Sequence, residues 1–220
     1  MKAIILVSGG MDSCVTVASA KADGYELSLL HLNYGQRTEQ RELKAFYNIA
    51  DHYTVDERLV VDISHLSTIG GSCLTDNNIE IPDARLDNSD IPISYVPFRN
   101  ANILSVAVSW AEVLKAVVIY VGAVEEDSSG YPDCRRSFFD AFESVINSGT
   151  KPGTNIKIIT PLITLTKKEI VEKSISLNAP LHLTWSCYKN EDIPCGACDS
   201  CALRARGFLQ AGIKDPLNPT

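Results

Sequence analysis

The segment KAIILVSGGMDSCV (residues 2–15) joins a run of aliphatic side chains to a glycine-containing loop and then to a helical pattern. The apolar run is typical of a strand that is buried on both faces of a sheet. Gly9 and Gly10 allow backbone N–H groups to approach an anion, and the following helix directs its positive N-terminus to the same place. Ser8 and Ser13 add hydroxyl donors. The segment predicts a phosphate-binding loop at the carboxyl edge of a parallel sheet.

Strand and helix patterns alternate along the chain after this segment. The alternation predicts an α/β fold in which helices cover both faces of a doubly wound parallel sheet. The capping-box pattern of Thr166 and Glu169 marks the start of one helix. Strands are predicted at residues 3–7, 25–35, 57–64, 116–124 and 156–162, and helices at 12–24, 37–53, 100–114, 137–149 and 166–178.

Two of these helices have apolar residues at helical spacing, which predicts the face that each buries. The first buried face comprises Leu43, Phe46, Tyr47, Ala50 and Tyr53. The second comprises Phe138, Phe142, Val145 and Ile146.

Regular patterns are interrupted in three places. Residues 70–97 and 125–136 are rich in Gly, Asp, Asn and Pro and are predicted to be long loops, which often carry binding residues. Beyond Asn178 only a short helix near residues 200–210 is predicted. We therefore predict two parts, an α/β domain at residues 1–180 that carries the phosphate-binding loop and a small cysteine-containing segment at 181–220.

Composition limits the function classes. Hydrophobic residues make up 45% and charged residues 21% of the 220 residues, as in ordinary globular proteins. No apolar stretch is long enough for a transmembrane helix and no secretory signal pattern is present, so the cytoplasm is the expected location and no membrane partner is expected. The net charge of -7 favours small-molecule chemistry over direct binding of nucleic acid.

Four of the seven cysteines lie within fifteen residues, with the spacing C-x₇-C-x₂-C-x₂-C. Such clustering in a cytosolic chain favours a metal over disulfides, and four thiolates suit a closed, structural Zn²⁺ site. An iron–sulfur cluster is the alternative, because ferredoxins use similar spacing. The predicted ligands are Cys187, Cys195, Cys198 and Cys201. The scattered Cys14, Cys73 and Cys134 are expected to be reduced and partly buried.

The loop SGGMDS (residues 8–13) is neither a Walker A loop nor a GxGxxG motif. It resembles the loop of the PP-loop ATP pyrophosphatase families, which cleave ATP to AMP and pyrophosphate while they adenylate a carbonyl or carboxylate oxygen. The resemblance implies an adenine-nucleotide hydrolase-like fold. Asp12 is expected to bind Mg²⁺ that accompanies ATP, to cap the helix, or to do both. The residues implied to bind ATP are Val7, Ser8, Gly9, Gly10, Met11, Asp12 and Ser13.

Three further segments, YVPFRNANIL (95–104), EEDSSGYPDCR (125–135) and CGACDSCALRARG (195–207), occur in this order after the loop. Together with the loop they resemble the 7-cyano-7-deazaguanine synthase family of queuosine biosynthesis over almost the whole chain. Met11 stands where that family commonly has glutamine, and we expect little effect on the chemistry.

The resemblance implies an ATP-dependent C–N ligase that converts 7-carboxy-7-deazaguanine and ammonia to the nitrile. Adenylation activates the carboxylate, ammonia gives an amide, and a second activation allows dehydration. These steps require phosphate binding and charge stabilisation rather than a protein nucleophile, so Cys134 need not be catalytic. A homodimer is also implied.

Under this resemblance, Asp12, Lys167 and Arg99 are the expected catalytic residues. Arg99 and Arg135 are expected to contact a carboxylate or phosphate. Tyr131 is expected to stack on the ring and Asp133 to accept from its guanine-like edge. The alternative is that these loops carry structural ion pairs, and that Lys167 lies on a solvated surface. The expected substrate-binding residues are Arg99, Asn100, Tyr131, Asp133 and Arg135.

Two other functions fit parts of the sequence. A tRNA-modifying PP-loop enzyme, a thiolase or a lysidine-type ligase, would need a basic surface for tRNA. A regulatory module that binds nucleotide and carries a zinc knuckle would bind ATP without cleaving it.

Overall fold

The computed structural model describes residues 1–86, 90–125 and 130–217. Within these ranges the strands form a five-stranded parallel sheet of order β3-β2-β1-β4-β5. Because the order reverses between β1 and β4, the crevice beyond their carboxyl ends is the switch point at which such sheets bind ligands. The predicted parallel sheet is confirmed. The strands are β1 (Lys2–Leu6), β2 (Glu26–Asn33), β3 (Arg58–Asp62), β4 (Val118–Tyr120) and β5 (Lys157–Ile159).

The central strand β1 is apolar along its length because it is covered on both faces. Ile5 pairs with Leu29 of β2 on one side and with Tyr120 of β4 on the other. Ile4 and Ile5 are fully buried and belong to two different core layers. Each layer requires its own set of helices, which accounts for the doubly wound architecture.

Seven helices lie in the described ranges, and they cover both faces of the sheet. Leu104 and Phe139 pack in the core layer that contains Ile4, and Val15 and Ile170 pack in the layer that contains Ile5. Short 3₁₀ turns occur at Pro132–Cys134 and Leu181–Leu183. None of the helices in these ranges combines the length and apolarity that crossing a membrane requires. The helices are α1 (Met11–Ala22), α2 (Glu39–His52), α3 (His65–Ile69), α4 (Arg99–Leu114), α5 (Arg136–Gly149), α6 (Lys167–Ser176) and α7 (Asp199–Ala211).

The predicted buried faces of α2 and α5 are partly wrong. In α2 the buried residues include Ala45 and Ile49, whereas Tyr47 is 42% exposed. In α5 the core residue is Phe139 rather than its neighbour Phe138, and Val145 is exposed. Adjacent aromatic and aliphatic residues give two overlapping apolar faces, and packing against the sheet, which a sequence pattern does not contain, selects one of them.

The C-terminal part is more regular than predicted, because α7 is a full helix that packs against α6. The predicted capping box is confirmed: Thr166 Oγ1 accepts from the Glu169 amide, and Glu169 accepts from the Thr166 amide at 2.8 Å. Gly207 allows α7 to approach α6, because a Cβ added there would lie 2.9 Å from Cβ of Lys167. The division of the chain after residue 180 stays a prediction.

Candidate active site

A cavity of about 290 Å³ opens at the switch point of the sheet. Its walls include the carboxyl ends of β1, β2 and β4, the N-termini of α1, α2 and α4, and parts of α6 and α7. The structure therefore brings distant predicted residues to one place. The predicted site residues that line the cavity are Val7, Ser8, Gly10, Met11, Asp12, Ser13, Arg99, Asn100, Tyr131 and Lys167.

The loop after β1 is held by its own hydroxyl groups. The Gly10 amide donates to Ser8 Oγ at 3.3 Å, and Ser13 Oγ donates to the Gly10 carbonyl at 3.0 Å. Gly9 lies behind the cavity wall with φ of 89°, and a Cβ there would lie 2.6 Å from the Glu42 carbonyl oxygen. This position thus requires glycine, and the loop presents the N-terminus of α1 to the cavity.

Gly122, which follows β4, is a second glycine that the site requires and that the sequence analysis did not identify. A Cβ on Gly122 would lie 2.9 Å from Thr16 Oγ1 and 3.1 Å from the carbonyl carbon of Asp12. Its absence of a side chain lets the end of β4 pack against the first turn of α1. The signal in the sequence was a glycine inside the strand predicted at residues 116–124, where glycine often marks a close approach of another backbone.

Asp12 and Lys167 form an ion pair inside the cavity. Lys167 Nζ donates to Asp12 Oδ2 at 2.8 Å, and the Lys167 side chain is only 8% exposed. Asp12 Oδ1 is buried and has no hydrogen-bond partner among the described residues. The N-cap of α1 is Gly10 and shows no side-chain capping bond, so Asp12 is not the helix cap. A buried carboxylate oxygen without a donor, on the loop predicted to bind phosphate, fits the ligand set of Mg²⁺.

Arg99 begins α4 and faces an aromatic part of the cavity. Its guanidinium carbon lies 4.9 Å from the centre of the Tyr34 ring, and its Nη1 donates to Tyr34 Oη at 3.0 Å. Tyr131 is held by a 2.8 Å hydrogen bond with Ser94. Tyr188 completes this wall. A cation among flat aromatic rings suits a planar, anionic ligand.

Asp133 and Arg135 do not line the cavity, contrary to what a direct substrate contact would require. Asp133 is buried, its Oδ2 accepts from the Asn100 amide at 2.9 Å, and its carbonyl accepts from Asn100 Nδ2 at 2.9 Å. Asp133 therefore pairs a backbone N–H group of the first turn of α4 that would otherwise lack an acceptor. This contact helps to hold Arg99 and Asn100 in the cavity wall. Arg135 is exposed at the start of α5. Their predicted direct contacts with substrate stay predictions, without support from this geometry.

Tyr34 and Glu42 are among the cavity residues that sequence reasoning missed. Tyr34 directly follows β2, and this position at the carboxyl edge of the sheet was the available signal. Glu42 lay in an amphipathic helix and gave no signal that separated it from a solvated surface residue. Burial raises the pKa of the Glu42 carboxyl from its usual value to about 7. Residues 126–129 of the predicted loop lie outside the described part of the chain.

Cys134 lines the cavity as a protonated thiol. Burial, with a contribution from Asp133, raises its pKa to about 11. Its Sγ also accepts a hydrogen bond from Asn100 Nδ2 at 3.3 Å. The thiolate is the nucleophilic form, so these surroundings disfavour covalent catalysis by Cys134.

Beside the cavity, the sulfur atoms of Cys187, Cys195, Cys198 and Cys201 lie within 4.8 Å of one another. The first of them accepts backbone N–H bonds from Lys189, Asn190 and Cys195 at 3.3–3.4 Å. Such bonds stabilise a metal-bound thiolate, and the close approach of four sulfurs fits a tetrahedral ion.

Comparison with solved structures supports the fold. The U34-tRNA thiolase NcsA from Methanococcus maripaludis superposes with a TM-score of 0.52 at 15% identity, covering 100% of this chain and 77% of that one. NMN synthetase from Francisella tularensis gives a TM-score of 0.51 at 14% identity, over 97% and 78% of the two chains. At these identities the likeness concerns architecture alone.

Comparison of sequences goes further. The family model described as "Queuosine biosynthesis protein QueC" matches residues 2–212. The 7-cyano-7-deazaguanine synthases of Chlorobium phaeobacteroides (strain DSM 266) and Chlorobaculum parvum are 60% and 58% identical to this chain, over 99% of its length and 96% of each relative. Identity at this level, over nearly the full length of both chains, establishes the family. The chain, with its parallel sheet, glycine loop and cysteine cluster, belongs to the QueC family of queuosine biosynthesis.

Proposed function

We propose that this chain catalyses the ATP-dependent conversion of 7-carboxy-7-deazaguanine and ammonia to 7-cyano-7-deazaguanine. One observation supports the proposal most strongly. The cavity brings an anion-binding loop, the Asp12–Lys167 pair and the Arg99 side chain together beside aromatic rings. A carboxylate-bearing flat base and a nucleotide triphosphate need these surfaces next to each other.

In this proposal the loop at residues 8–13 holds the β- and γ-phosphates through backbone N–H groups and hydroxyls. Lys167, directed by Asp12, stabilises the charge that develops as pyrophosphate leaves. Arg99 holds the substrate carboxylate, and Tyr131 packs on the ring. Attack of a carboxylate oxygen on the α-phosphate gives an acyl-adenylate and pyrophosphate.

Ammonia then displaces AMP from the acyl carbon and leaves the amide. A second adenylation, now at the amide oxygen, makes that oxygen a leaving group, and loss of AMP and two protons gives the nitrile. Both halves of the reaction use the same phosphate and carboxyl positions, so one cavity serves both. No protein nucleophile is required, which agrees with the protonated state of Cys134.

Two metals are part of the proposal. Mg²⁺ would be held with ATP by Asp12, whose Oδ1 has no donor within the described part of the chain, and would neutralise phosphate charge. The four cysteines would hold one structural Zn²⁺, since the set supplies four sulfurs and leaves no open position. The prediction of a cytoplasmic homodimer that does not bind nucleic acid directly also stays part of the proposal, on the family resemblance and the net charge of -7.

Mass spectrometry of a reaction with purified protein, Mg-ATP, ammonium and 7-carboxy-7-deazaguanine tests the function. The proposal predicts a nitrile product, and an amide alone would restrict the activity to the first activation. With a preparation that carries its metal, absence of both products would refute the proposed substrate. A tRNA gel shift under the same conditions would then test the tRNA-modifying alternative.

A further inference from the structure

Glu42 is an acidic side chain in the cavity to which the mechanism above gives no role. Its backbone carbonyl lies directly behind the phosphate loop, 2.6 Å from where a Cβ on Gly9 would be. Its side chain lines the same cavity as Asp12, Arg99 and Lys167. Glu42 is therefore close to the loop that would hold the leaving group and shares a cavity with the group that would hold the carboxylate.

A hydrogen-bond network fixes the orientation of the Glu42 carboxylate. Oε1 accepts from Thr38 Oγ1 at 2.7 Å, and Oε2 accepts from Gln36 Nε2 at 3.2 Å. Gln36 Oε1 in turn accepts from the Tyr34 amide at 2.8 Å, and Tyr34 Oη accepts from Arg99. Each carboxylate oxygen uses one of its acceptor positions in this network and keeps another. The carboxylate is thus preoriented and can still accept a proton.

The surroundings of Glu42 set its protonation near neutrality. Burial raises the pKa to about 7, the bonds from Thr38 and Gln36 and the charge of Arg99 oppose this, and Glu39 on the same helix adds to it. The other ionisable groups of the cavity are the Asp12–Lys167 pair, Tyr34, Tyr131, Tyr188, Cys134, Asp199 and Arg204. Burial raises the pKa of Tyr34, Tyr131, Tyr188 and Cys134, which keeps these groups neutral.

The proposed reaction needs a base at this place. Ammonia is mainly ammonium at neutral pH, and ammonium has no lone pair with which to attack an acyl carbon. A base with a pKa near the working pH combines an available unprotonated form with useful proton affinity. Cys134 and the tyrosines are too weakly acidic to be ionised, and Asp12 is paired with Lys167.

We propose that Glu42 is the general base that deprotonates ammonium in the cavity for attack on the acyl-adenylate. The inference rests on the proposed function. Ammonium gives one proton to a Glu42 oxygen and becomes ammonia. Its lone pair forms the C–N bond, the acyl C–O bond breaks, and the electron pair leaves with the phosphate oxygen of AMP. The nitrogen then loses a second proton to that phosphate oxygen, the amide keeps two, and Glu42 releases its proton to solvent.

The test compares Glu42→Gln with Glu39→Gln, a matched change one turn earlier on α2 at a residue outside the cavity wall. Each variant is assayed with ammonium and with hydroxylamine, which is mainly unprotonated at neutral pH and needs no base. We expect Glu42→Gln to lower amide and nitrile formation by about 10²-fold or more, the usual contribution of a general base. Hydroxamate formation from hydroxylamine should stay near the wild-type rate. Glu39→Gln should leave both reactions within a few-fold of wild type, since Glu39 is only a minor contributor to the Glu42 pKa.

The pH profile gives a second readout that a purely structural role would not change. The base must be unprotonated, so wild-type amide formation should fall as the pH decreases through about 7. Glu42→Gln should lack the inflection near pH 7, and its residual rate should keep rising with pH in proportion to free ammonia.

Three outcomes would overturn the inference: unchanged amide formation in Glu42→Gln, an equal loss with both nucleophiles, or an inflection near pH 7 that persists in the variant. The equal loss would mean that Glu42 positions the substrate or supports the loop. Failure of the proposed function itself differs from all three, because the wild-type protein would then form neither amide nor hydroxamate.

Discussion

Lys167 Nζ lies 2.8 Å from Asp12 Oδ2, so that two residues 155 positions apart join the first turns of α6 and α1 in one cavity. Both side chains belong to the cavity that also holds the glycine loop. The ammonium group is thus fixed by a carboxylate that is itself part of the loop segment. This pair links the fold to the proposed phosphate chemistry.

Lys167→Ala should lower nitrile formation by about 10²- to 10³-fold. This is the usual loss when one preoriented donor that stabilises the charge developing in the transition state is removed. Lys168→Ala is the control, because Lys168 is half-exposed and pairs with Glu172 one turn further along the helix. Product assays at saturating ATP would check the difference. Equal effects of the two substitutions would contradict the assigned role of Lys167.

Gly207→Ala should destabilise the protein by about 1–3 kcal/mol, because the added methyl group would overlap Lys167. Displacement of Lys167 should also reduce activity. Gly149→Ala is the matched control: a Cβ there meets nothing within 4 Å, and alanine favours the helix. Urea unfolding measures both, and a Gly207→Ala variant as stable as Gly149→Ala would contradict close packing of α7 on α6.

Removal of one cysteine ligand should release the metal. Cys195→Ser is expected to lower the zinc content from one ion per chain and to loosen the segment that carries Tyr188 and Ser200 into the cavity wall. The binding of the deazapurine should therefore weaken. Cys73→Ala is the control, since Cys73 is also buried but does not belong to the cluster. Elemental analysis measures the metal content of each variant, and thermal unfolding measures its stability. Iron instead of zinc in the purified protein would contradict the assignment of the site to Zn²⁺.

Cys134→Ser should retain most of the activity. The thiol has a pKa of about 11 and is protonated at neutral pH, so it supplies no nucleophile. The cost should appear in stability, at about 1 kcal/mol, because a hydroxyl replaces a buried sulfur. Steady-state kinetics beside urea unfolding would separate the two effects. A 10²-fold loss of turnover in a folded variant would instead point to covalent catalysis.

Asp215→Asn should be the most destabilising of these changes, by about 3–5 kcal/mol. Asp215 accepts two bonds from Arg204, at 2.7 and 2.8 Å, and both residues are buried, so the substitution leaves an unpaired charge. In the exposed Lys168–Glu172 pair, Glu172→Gln should cost less than about 0.5 kcal/mol. Similar unfolding free energies for the two variants would show that the buried pair does not anchor the C-terminus.

Local patterns predicted the elements and the loop because they depend on neighbouring residues. The alternation of strands and helices, the capping box at Thr166 and the glycines of the first loop are all features of short segments. Cysteine spacing acted in the same way, since two-residue gaps bring thiols together wherever the segment lies. These predictions needed no knowledge of the long-range packing.

Long-range packing decided what the sequence could not predict. Asp133 and Tyr131 are two residues apart, yet one supports α4 and the other lines the cavity. Glu42 enters the cavity only because α2 packs behind Gly9, and Gly122 matters only because β4 ends against α1. All of these contacts join residues that are far apart in the sequence. Side chains on one short loop can therefore be predicted as a group, but their separate roles require the three-dimensional arrangement.

The most direct test of the mechanism follows both carboxylate oxygens of 7-carboxy-7-deazaguanine labelled with ¹⁸O. Two successive adenylations predict that one labelled oxygen leaves with AMP at each step, so that each nitrile formed is accompanied by two AMP molecules carrying one ¹⁸O each. Mass spectrometry of AMP, pyrophosphate and water reads the result. Label in water or in inorganic phosphate, with unlabelled AMP, would contradict adenylation and with it the central claim for this site.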